Sequence, residues 1–139
     1  MHFNSVLIVS ILSASAALGL PQASPRQQYQ WNVIDFEDIY ANDLYQYAFN
    51  VTGAGSSYGP EFNTFCSGKT DGDNGNFQKC NDPLFSSNLV GTSGQQVLYV
   101  DRSVTEGPQG QQAVEQANAT IVGDRNTYTL YPDYEYFET

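Results

Sequence analysis

The sequence predicts an all-β fold, a compact antiparallel β-barrel or sandwich that contains one disulfide. From Trp31 onward, hydrophobic residues recur mainly at a spacing of two, which is the period of a half-buried strand. Clusters of Gly, Asn, Asp and Ser separate these stretches at short intervals, as the turns of antiparallel sheets do. The chain also contains two cysteines, Cys66 and Cys80, which are available to form a bridge.

The length and composition of the chain are those of one folded domain. The chain has 139 residues, and removal of a leader would leave about 120, which suits a single domain. Hydrophobic residues make up 40% of the chain and aromatic residues 14%. A chain of this composition can bury a hydrophobic core, so we exclude wholesale disorder.

Residues 1–19 are predicted to be a secretory signal peptide. Residues 6–12 form an apolar run, small residues follow at 13–17, and Ala17 and Gly19 have the spacing of a cleavage site before Leu20. The run is too short to span a bilayer, which argues against a membrane anchor. The sequence therefore predicts a secreted, extracellular protein. Residues 20–30, which are rich in Pro and Gln, are predicted to be a flexible lead-in.

The predicted β-domain covers residues 31–131, and its first strand starts at Trp31. The second strand is predicted from four alternating apolar residues, Tyr45, Tyr47, Phe49 and Val51. Residues 35–47 fit either a helical turn or a part of these strands, and both interpretations stay open. Further strands are predicted at residues 61–66, 77–80, 84–89, 96–102, 114–122 and 127–131. Residues 132–139 are predicted to form an acidic, aromatic tail.

Cys66 and Cys80 form an even pair in a chain that is predicted to be secreted, and we interpret them as a disulfide. Closing a loop of about 15 residues in this way would stabilise the fold by roughly 3 kcal/mol. Two free thiols, or half of a metal site, are the alternative, but the sequence shows no further ligands to complete such a site.

Two triplets match the acceptor pattern for N-glycosylation, namely Asn50-Val51-Thr52 and Asn118-Ala119-Thr120. Asn50 falls on the polar face of the second predicted strand, from which a glycan would project into water. We therefore predict glycosylation at Asn50 and Asn118.

Carboxylates dominate the charge of the chain. Its 15 Asp and Glu residues against 5 Lys and Arg residues give a formal net charge of −10. Nucleic acid and membrane surfaces are therefore not expected as partners, since tight binding to phosphates or anionic lipids needs clustered cations. The only histidine, His2, lies in the predicted leader, which excludes histidine-based triads and zinc sites in the mature chain. No cofactor and no metal is expected.

Two acidic stretches are candidates for a chemical site. The first could supply the paired carboxylates of a hydrolase acting on cell-wall glycans, and its members are Asp35, Glu37, Asp38 and Asp43. Surface carboxylates are common in acidic secreted proteins, so we favour the interpretation that no residue is catalytic. The second stretch, residues 71–75, resembles the start of a calcium loop. Its glycine comes one position early and Cys80 interrupts the loop, so a solvated turn is favoured.

Tyrosines near the carboxyl end form a candidate binding surface that consists of Tyr131, Tyr134 and Tyr136. Exposed rings with polar tips are good anchors for sugars or proteins. The alternative interpretation is an irregular tail that begins at Pro132.

Several short motifs follow one another in an order that is similar to one known family. Residues 31–36 (WNVIDF) match the pattern W-x-[IV]-x-[DE]-F, and residues 49–51 (FNV) match F-N-[IV]. Residues 77–85 (FQKCNDPLF) match [WF]-x-x-C-[GN]-[DE]-x-x-F, and residues 117–121 (ANATI) match A-x-A-T-[LI]. In this order and with these gaps, the motifs resemble those of the Alternaria alternata major allergen family of small secreted fungal proteins.

The resemblance implies a compact antiparallel β-barrel with a bridge between Cys66 and Cys80. It also implies a secreted fungal protein of a kind described as allergens, elicitors of plant defence and effector-like binders of host defence proteins. The namesake allergen has a cysteine before the tryptophan strand that links two subunits. This chain has none between Leu20 and Phe65, so a covalent dimer of that kind is excluded.

Together, these observations predict a protein that binds and does not catalyse. An acidic chain is expected to meet a host protein that carries a basic surface, because opposite charges speed encounter and exclude wrong partners. A carboxylate-dependent hydrolase is one alternative. A carrier of small apolar ligands inside the barrel is another.

Overall fold

The structure, a computed structural model, describes residues 29–55, 59–106 and 111–136. The predicted signal peptide and most of the predicted lead-in lie outside these ranges. Within them the chain forms nine strands and no helix, which confirms the predicted all-β class. The strands are β1 (Trp31–Ala41), β2 (Leu44–Gly53), β3 (Phe62–Thr70), β4 (Gln78–Lys79), β5 (Phe85–Val90), β6 (Val97–Glu106), β7 (Gln111–Thr120), β8 (Tyr128–Leu130) and β9 (Asp133–Tyr136).

The strands form two antiparallel sheets. One has four strands in the order β3-β2-β1-β8, and the other has five in the order β4-β5-β6-β7-β9. The described strands do not continue from one sheet into the other, so the sheets do not close into a barrel and the fold is sandwich-like. Of the two predicted forms the structure therefore has the sandwich, and it lacks the closed barrel that the resemblance implies.

The core lies between the two sheets and contains the residues that the alternating pattern placed on the apolar faces. Six large side chains are fully buried there, namely Trp31, Phe49, Phe85, Leu89, Leu98 and Leu130. Because side chains fill this interior, it gives no support to the predicted carrier of small apolar ligands.

Residues 35–47, for which a helical turn was one interpretation, instead form the end of β1, a tight turn and the start of β2. Asp35 has a left-handed backbone with φ 54°, and the β1–β2 register shifts between Ile34 and Glu37. This bulge returns Phe36 to the core after Val33. The helical interpretation is wrong, because β1 continues to Ala41 and a two-residue turn leads directly into β2.

The turn between β1 and β2 consists of Asn42 and Asp43, whose φ angles are 54° and 62°. Left-handed values at both central residues are typical of the type I′ turn, which matches the twist of a hairpin. Asn and Asp tolerate this conformation better than other residues with side chains do. Ala41 and Leu44 pair directly on either side of the turn.

The carboxyl-terminal part of the fold also differs from the prediction. Residues 133–136, expected in an irregular tail beginning at Pro132, form β9 and pair with β7 from Gln116 to Ala113. Proline is tolerated here because it precedes the strand and need not donate to the ladder. Residues 137–139 of the predicted tail lie outside the described residues.

The predicted disulfide between Cys66 and Cys80 is present and joins β3 to the end of the segment that contains β4. Neighbouring hydrogen bonds strengthen this junction. The side-chain amide of Gln78 donates to the carbonyl of Lys69 at 2.6 Å and accepts from its N–H at 3.3 Å. The N–H of Asn81 donates to the carbonyl of Phe65 at 2.9 Å. The open edge of β3 is thereby partly covered, which hinders pairing with another chain.

Candidate functional site

Three segments that are distant in sequence meet at one end of the sandwich. They are the β1–β2 hairpin tip (residues 37–44) and the turns at residues 71–76 and 91–95. The backbone N–H of Ser93 donates to the Tyr45 hydroxyl at 2.9 Å, which ties the third segment to the base of the hairpin. The N–H of Gly91 donates to the carbonyl of Gly72 at 2.8 Å, which ties it to the second. We call these three segments the acidic end.

The acidic end is named for its charge. Its segments contain five carboxylates and no Lys, Arg or His. All five side chains are exposed, and they are Glu37, Asp38, Asp43, Asp71 and Asp73. A surface with carboxylates on adjoining loops carries a negative potential that attracts a basic partner over a distance set by the salt concentration.

Two large apolar side chains stand among these carboxylates. Ile39 is 61% exposed and Tyr40 is 59% exposed, and as consecutive residues of β1 they point to opposite faces of the strand. The Tyr40 ring packs against that of Tyr45 at 4.8 Å between centroids, and its hydroxyl donates to Asp43 Oδ1 at 3.4 Å. The pKa of the Tyr40 hydroxyl is raised because this packing removes water from it and because the Asp43 carboxylate disfavours a phenolate. The contact with Tyr45 and the hydrogen bond to Asp43 hold the ring in place, although 59% of the side chain remains exposed.

A depression of about 610 Å³ adjoins the hairpin on the outer face of the four-stranded sheet. Its lining combines the acidic Glu37, the apolar Ile39, the polar Gln46 and the basic Lys69. A groove with this mixture beside an exposed hairpin is suited to contact with the side chains of a protein partner.

In the turn at residues 71–76, the first carboxylate accepts hydrogen bonds from other residues of the turn. Asp71 Oδ1 accepts hydrogen bonds from the N–H of Asp73 at 3.0 Å and from the side chain of Asn76 at 3.3 Å. Gly72 and Gly75 have positive φ angles, which glycine adopts without strain. The described residues contain no group of three or more His, Cys, Asp or Glu side chains placed to hold a metal ion. This geometry is that of a turn stabilised by hydrogen bonds between its own residues.

The carboxylates of the predicted hydrolase are not brought together as a pair by β1. Glu37 and Asp38 are consecutive, and their partners on β2, Ala48 and Tyr47, lie on opposite faces of that strand. Asp35 occupies the bulge, before the hairpin tip. The hydrolase alternative stays a prediction, without an acid and base assigned to it.

The predicted tyrosine surface does not belong to the acidic end. Tyr131 is 48% exposed and follows Leu130, whose partner Trp31 begins β1 at the opposite end of the sandwich. Tyr134 and Tyr136 lie in β9, and their side chains are outside the description. Sequence reasoning missed Ile39 and Tyr40. The signal that could have found them was a two-residue Asn-Asp turn between alternating stretches.

The two predicted glycosylation sites lie on the outer faces of opposite sheets. Asn50 is half-buried in β2 and Asn118 is exposed in β7. Asn50 alternates with the buried Phe49 and Val51, so its outward orientation agrees with the alternation of the sequence. Attachment of a glycan at either position stays a prediction.

The opposite end of the sandwich holds an arginine that sequence reasoning also missed. Arg102 is 3% exposed, and its Nε and Nη2 atoms both lie 2.8 Å from Glu115 Oε2. Nη2 also donates to the Tyr29 hydroxyl at 3.3 Å. Three aromatic rings surround the guanidinium at 5.4 to 5.8 Å, and they are Trp31, Phe62 and Phe85. We call this group the arginine end, whose charge is neutralised inside the fold.

Comparisons with known proteins identify no relative of this chain. The part of the chain that the structure describes contains no helix long and apolar enough to cross a membrane. No protein-family model, curated protein or solved structure matches this chain. The resemblance to the Alternaria alternata major allergen family therefore stays a prediction that rests on the motifs alone.

Proposed function

We propose that this chain is a secreted, non-catalytic binding protein whose acidic end contacts a protein partner with a basic surface. The observation that carries the proposal is the exposure of Ile39 and Tyr40, about 60% each, among five exposed carboxylates on one end of the fold. Apolar and aromatic anchors inside a charged rim are typical of protein interfaces.

The two kinds of side chain have different tasks in this proposal. The carboxylates speed the encounter and exclude acidic proteins, while the Tyr40 ring and Ile39 supply the apolar contact that slows dissociation. The ring of Tyr40 is already packed on Tyr45, so little side-chain freedom is lost on binding. A cationic host defence protein is the partner that agrees with the net charge of −10 and with the family resemblance.

The proposal is tested with the secreted chain and a panel of purified cationic extracellular defence proteins. We expect binding that weakens steadily as salt rises. Tyr40→Thr keeps a good strand residue but removes the ring. We expect it to raise Kd about tenfold, as the loss of an interface anchor does. Asp38→Asn combined with Asp43→Asn should slow association most clearly at low salt.

A matched control separates a local site from the overall charge. Glu61→Gln combined with Asp133→Asn changes the net charge by the same amount but lies outside the acidic end, and both residues are exposed. We expect this control to change Kd less than twofold at physiological salt, where distant exposed charges are largely screened. Equal weakening by both charge pairs, or no binding to any cationic protein, would contradict the proposal.

A further inference from the structure

One predicted glycosylation site lies at the centre of an apolar row on the outer face of the four-stranded sheet. In β2, Asn50 pairs directly with Ile34 of β1 on one side and with Phe65 of β3 on the other. Directly opposed residues of antiparallel strands point to the same face. Ile34 is 38% exposed and Phe65 is 39% exposed, so the asparagine stands between two partly open apolar side chains.

The rows on either side of this one are mainly polar. Towards the arginine end, Thr52 pairs with Asn32 and with Asn63. Towards the acidic end, Ala48 pairs with Glu37 and with Ser67. The row of Ile34, Asn50 and Phe65 is thus an apolar interruption of a polar face, and the residue in its middle is the acceptor for a sugar.

We propose that an N-linked glycan on Asn50 lays its first N-acetylglucosamine across Phe65 and Ile34 and covers this row. Cross-strand partners have Cβ atoms about 5 Å apart, so a sugar on the Asn50 amide nitrogen reaches the Phe65 ring without unfolding the strand. The C–H groups on one face of a pyranose are apolar and carry partial positive charge, which suits the negative face of an aromatic ring. The glycan then occupies only this part of the outer face, next to the depression that begins at the row of Ala48.

Asn118 provides a contrast within the same molecule. It also faces an aromatic partner, since it pairs with Tyr99 of β6. However, Tyr99 is half-buried, and its ring lies 6.5 Å from that of Phe77. Because this ring already has a protein neighbour, we expect a glycan on Asn118 to contribute less to stability than one on Asn50.

The test uses the full chain secreted from a eukaryotic host that adds N-glycans. Glycopeptide mass determines whether Asn50 is modified, and an endoglycosidase then trims each glycan to a single N-acetylglucosamine. We expect the single-sugar protein to melt about 4 °C above both Asn50→Gln and Thr52→Ala, which remove the acceptor in two ways. Asn118→Gln, the matched control, should lower the melting temperature by about 1 °C or less.

A second variant and an independent measurement test the contact itself. Phe65→Thr keeps a strand-forming residue at an exposed position, and in this background removal of the Asn50 acceptor should no longer change the melting temperature. In nuclear magnetic resonance spectra of the single-sugar protein, ring currents from Phe65 should shift signals of the attached sugar upfield, and Phe65→Thr should abolish the shift.

Three results would overturn the proposal. They are an unmodified Asn50 in the secreted protein, a stabilising effect of the sugar that is unchanged in Phe65→Thr, and sugar signals without an upfield shift. None of these measurements involves a binding partner, so this proposal can fail while the proposed function stands, and the reverse also holds.

Discussion

The two ends of the sandwich treat charge in opposite ways. At the arginine end, Arg102 is 3% exposed, bonded to Glu115 and surrounded by three aromatic rings. At the acidic end, five carboxylates are exposed on segments that contain no cation. A buried ion must be matched inside the protein, whereas an exposed one contributes little to stability. The buried charges therefore depend on each other inside the fold, whereas the exposed carboxylates are accessible from outside, which agrees with the proposal that they contact a partner.

Substitutions at the arginine end should destabilise the protein most. Arg102→Met or Glu115→Gln removes one of the two opposite charges of a buried ion pair, and we expect a loss of about 3 to 5 kcal/mol of unfolding free energy. Denaturant unfolding of each variant measures this loss. Arg125→Met is the matched control, because that exposed guanidinium lies over one ring, Tyr128, at 5.9 Å, and should contribute at most about 1 kcal/mol.

A double variant distinguishes the ion pair from simple packing. Arg102→Met combined with Glu115→Leu removes both charges of the pair, and the double variant should be more stable than either single one. If Arg102→Met alone costs less than about 1 kcal/mol, or if the two losses simply add, the arginine end does not depend on its ion pair.

Loss of the disulfide should have a smaller effect, which is confined to one part of the sandwich. We expect Cys66→Ser combined with Cys80→Ser to cost about 2 to 4 kcal/mol, since a loop with a sequence separation of 14 is released. Two of the bonds beside the bridge, from Asn81 to Phe65 and from Asp82 to Thr64, lie away from the tip of the β1–β2 hairpin. Hydrogen exchange should therefore rise in β3 and at residues 78–82 while the tip of the β1–β2 hairpin changes little.

Mass measurement provides the control for this prediction. The intact protein should gain the mass of two hydrogens on reduction, and a thiol reagent should label neither cysteine beforehand. Uniform acceleration of exchange across the whole sandwich would indicate that the bridge stabilises both ends equally, contrary to the expectation.

The sequence was sufficient to predict most strands because burial alternates along them. Tyr45, Tyr47, Phe49 and Val51 are all buried, as their spacing of two requires. The alternation fails where the backbone departs from a regular strand. Phe36 is buried only because the bulge at Asp35 shifts the register, and a spacing of three from Val33 does not distinguish a bulge from a helical turn.

Features made by pairing between distant segments could not be predicted from local pattern. β9 owes its strand structure to β7, and the choice of sandwich over barrel depends on which edges pair. The acidic end is assembled by the bonds of Tyr45 to Ser93 and of Gly72 to Gly91. The arginine end did leave a signal, since Arg102 falls on the same alternating phase as the buried Leu98 and Val100.

Substitutions of Asp43 in the hairpin turn should change stability least, and they should change stability and binding in opposite directions. Asp43 has φ 62°, and glycine occupies this position of a type I′ turn with less strain. We expect Asp43→Gly to raise the unfolding free energy by roughly 0.5 to 1 kcal/mol. Asp43→Asn, the matched control, removes the charge but keeps a residue tolerant of this backbone, so it should gain only a few tenths of a kcal/mol.

Measured binding of a cationic partner shows whether the Asp43 carboxylate contributes to the contact. Both Asp43 variants should bind more weakly at low salt, since both lose the carboxylate, although only Asp43→Gly is distinctly more stable. A residue that costs stability and contributes to binding is one retained for contact with another molecule, a trade-off common at functional sites. If Asp43→Gly stabilises the fold and leaves binding unchanged, the turn is a feature of the hairpin alone, and the contact surface must be sought in Ile39 and Tyr40 without it.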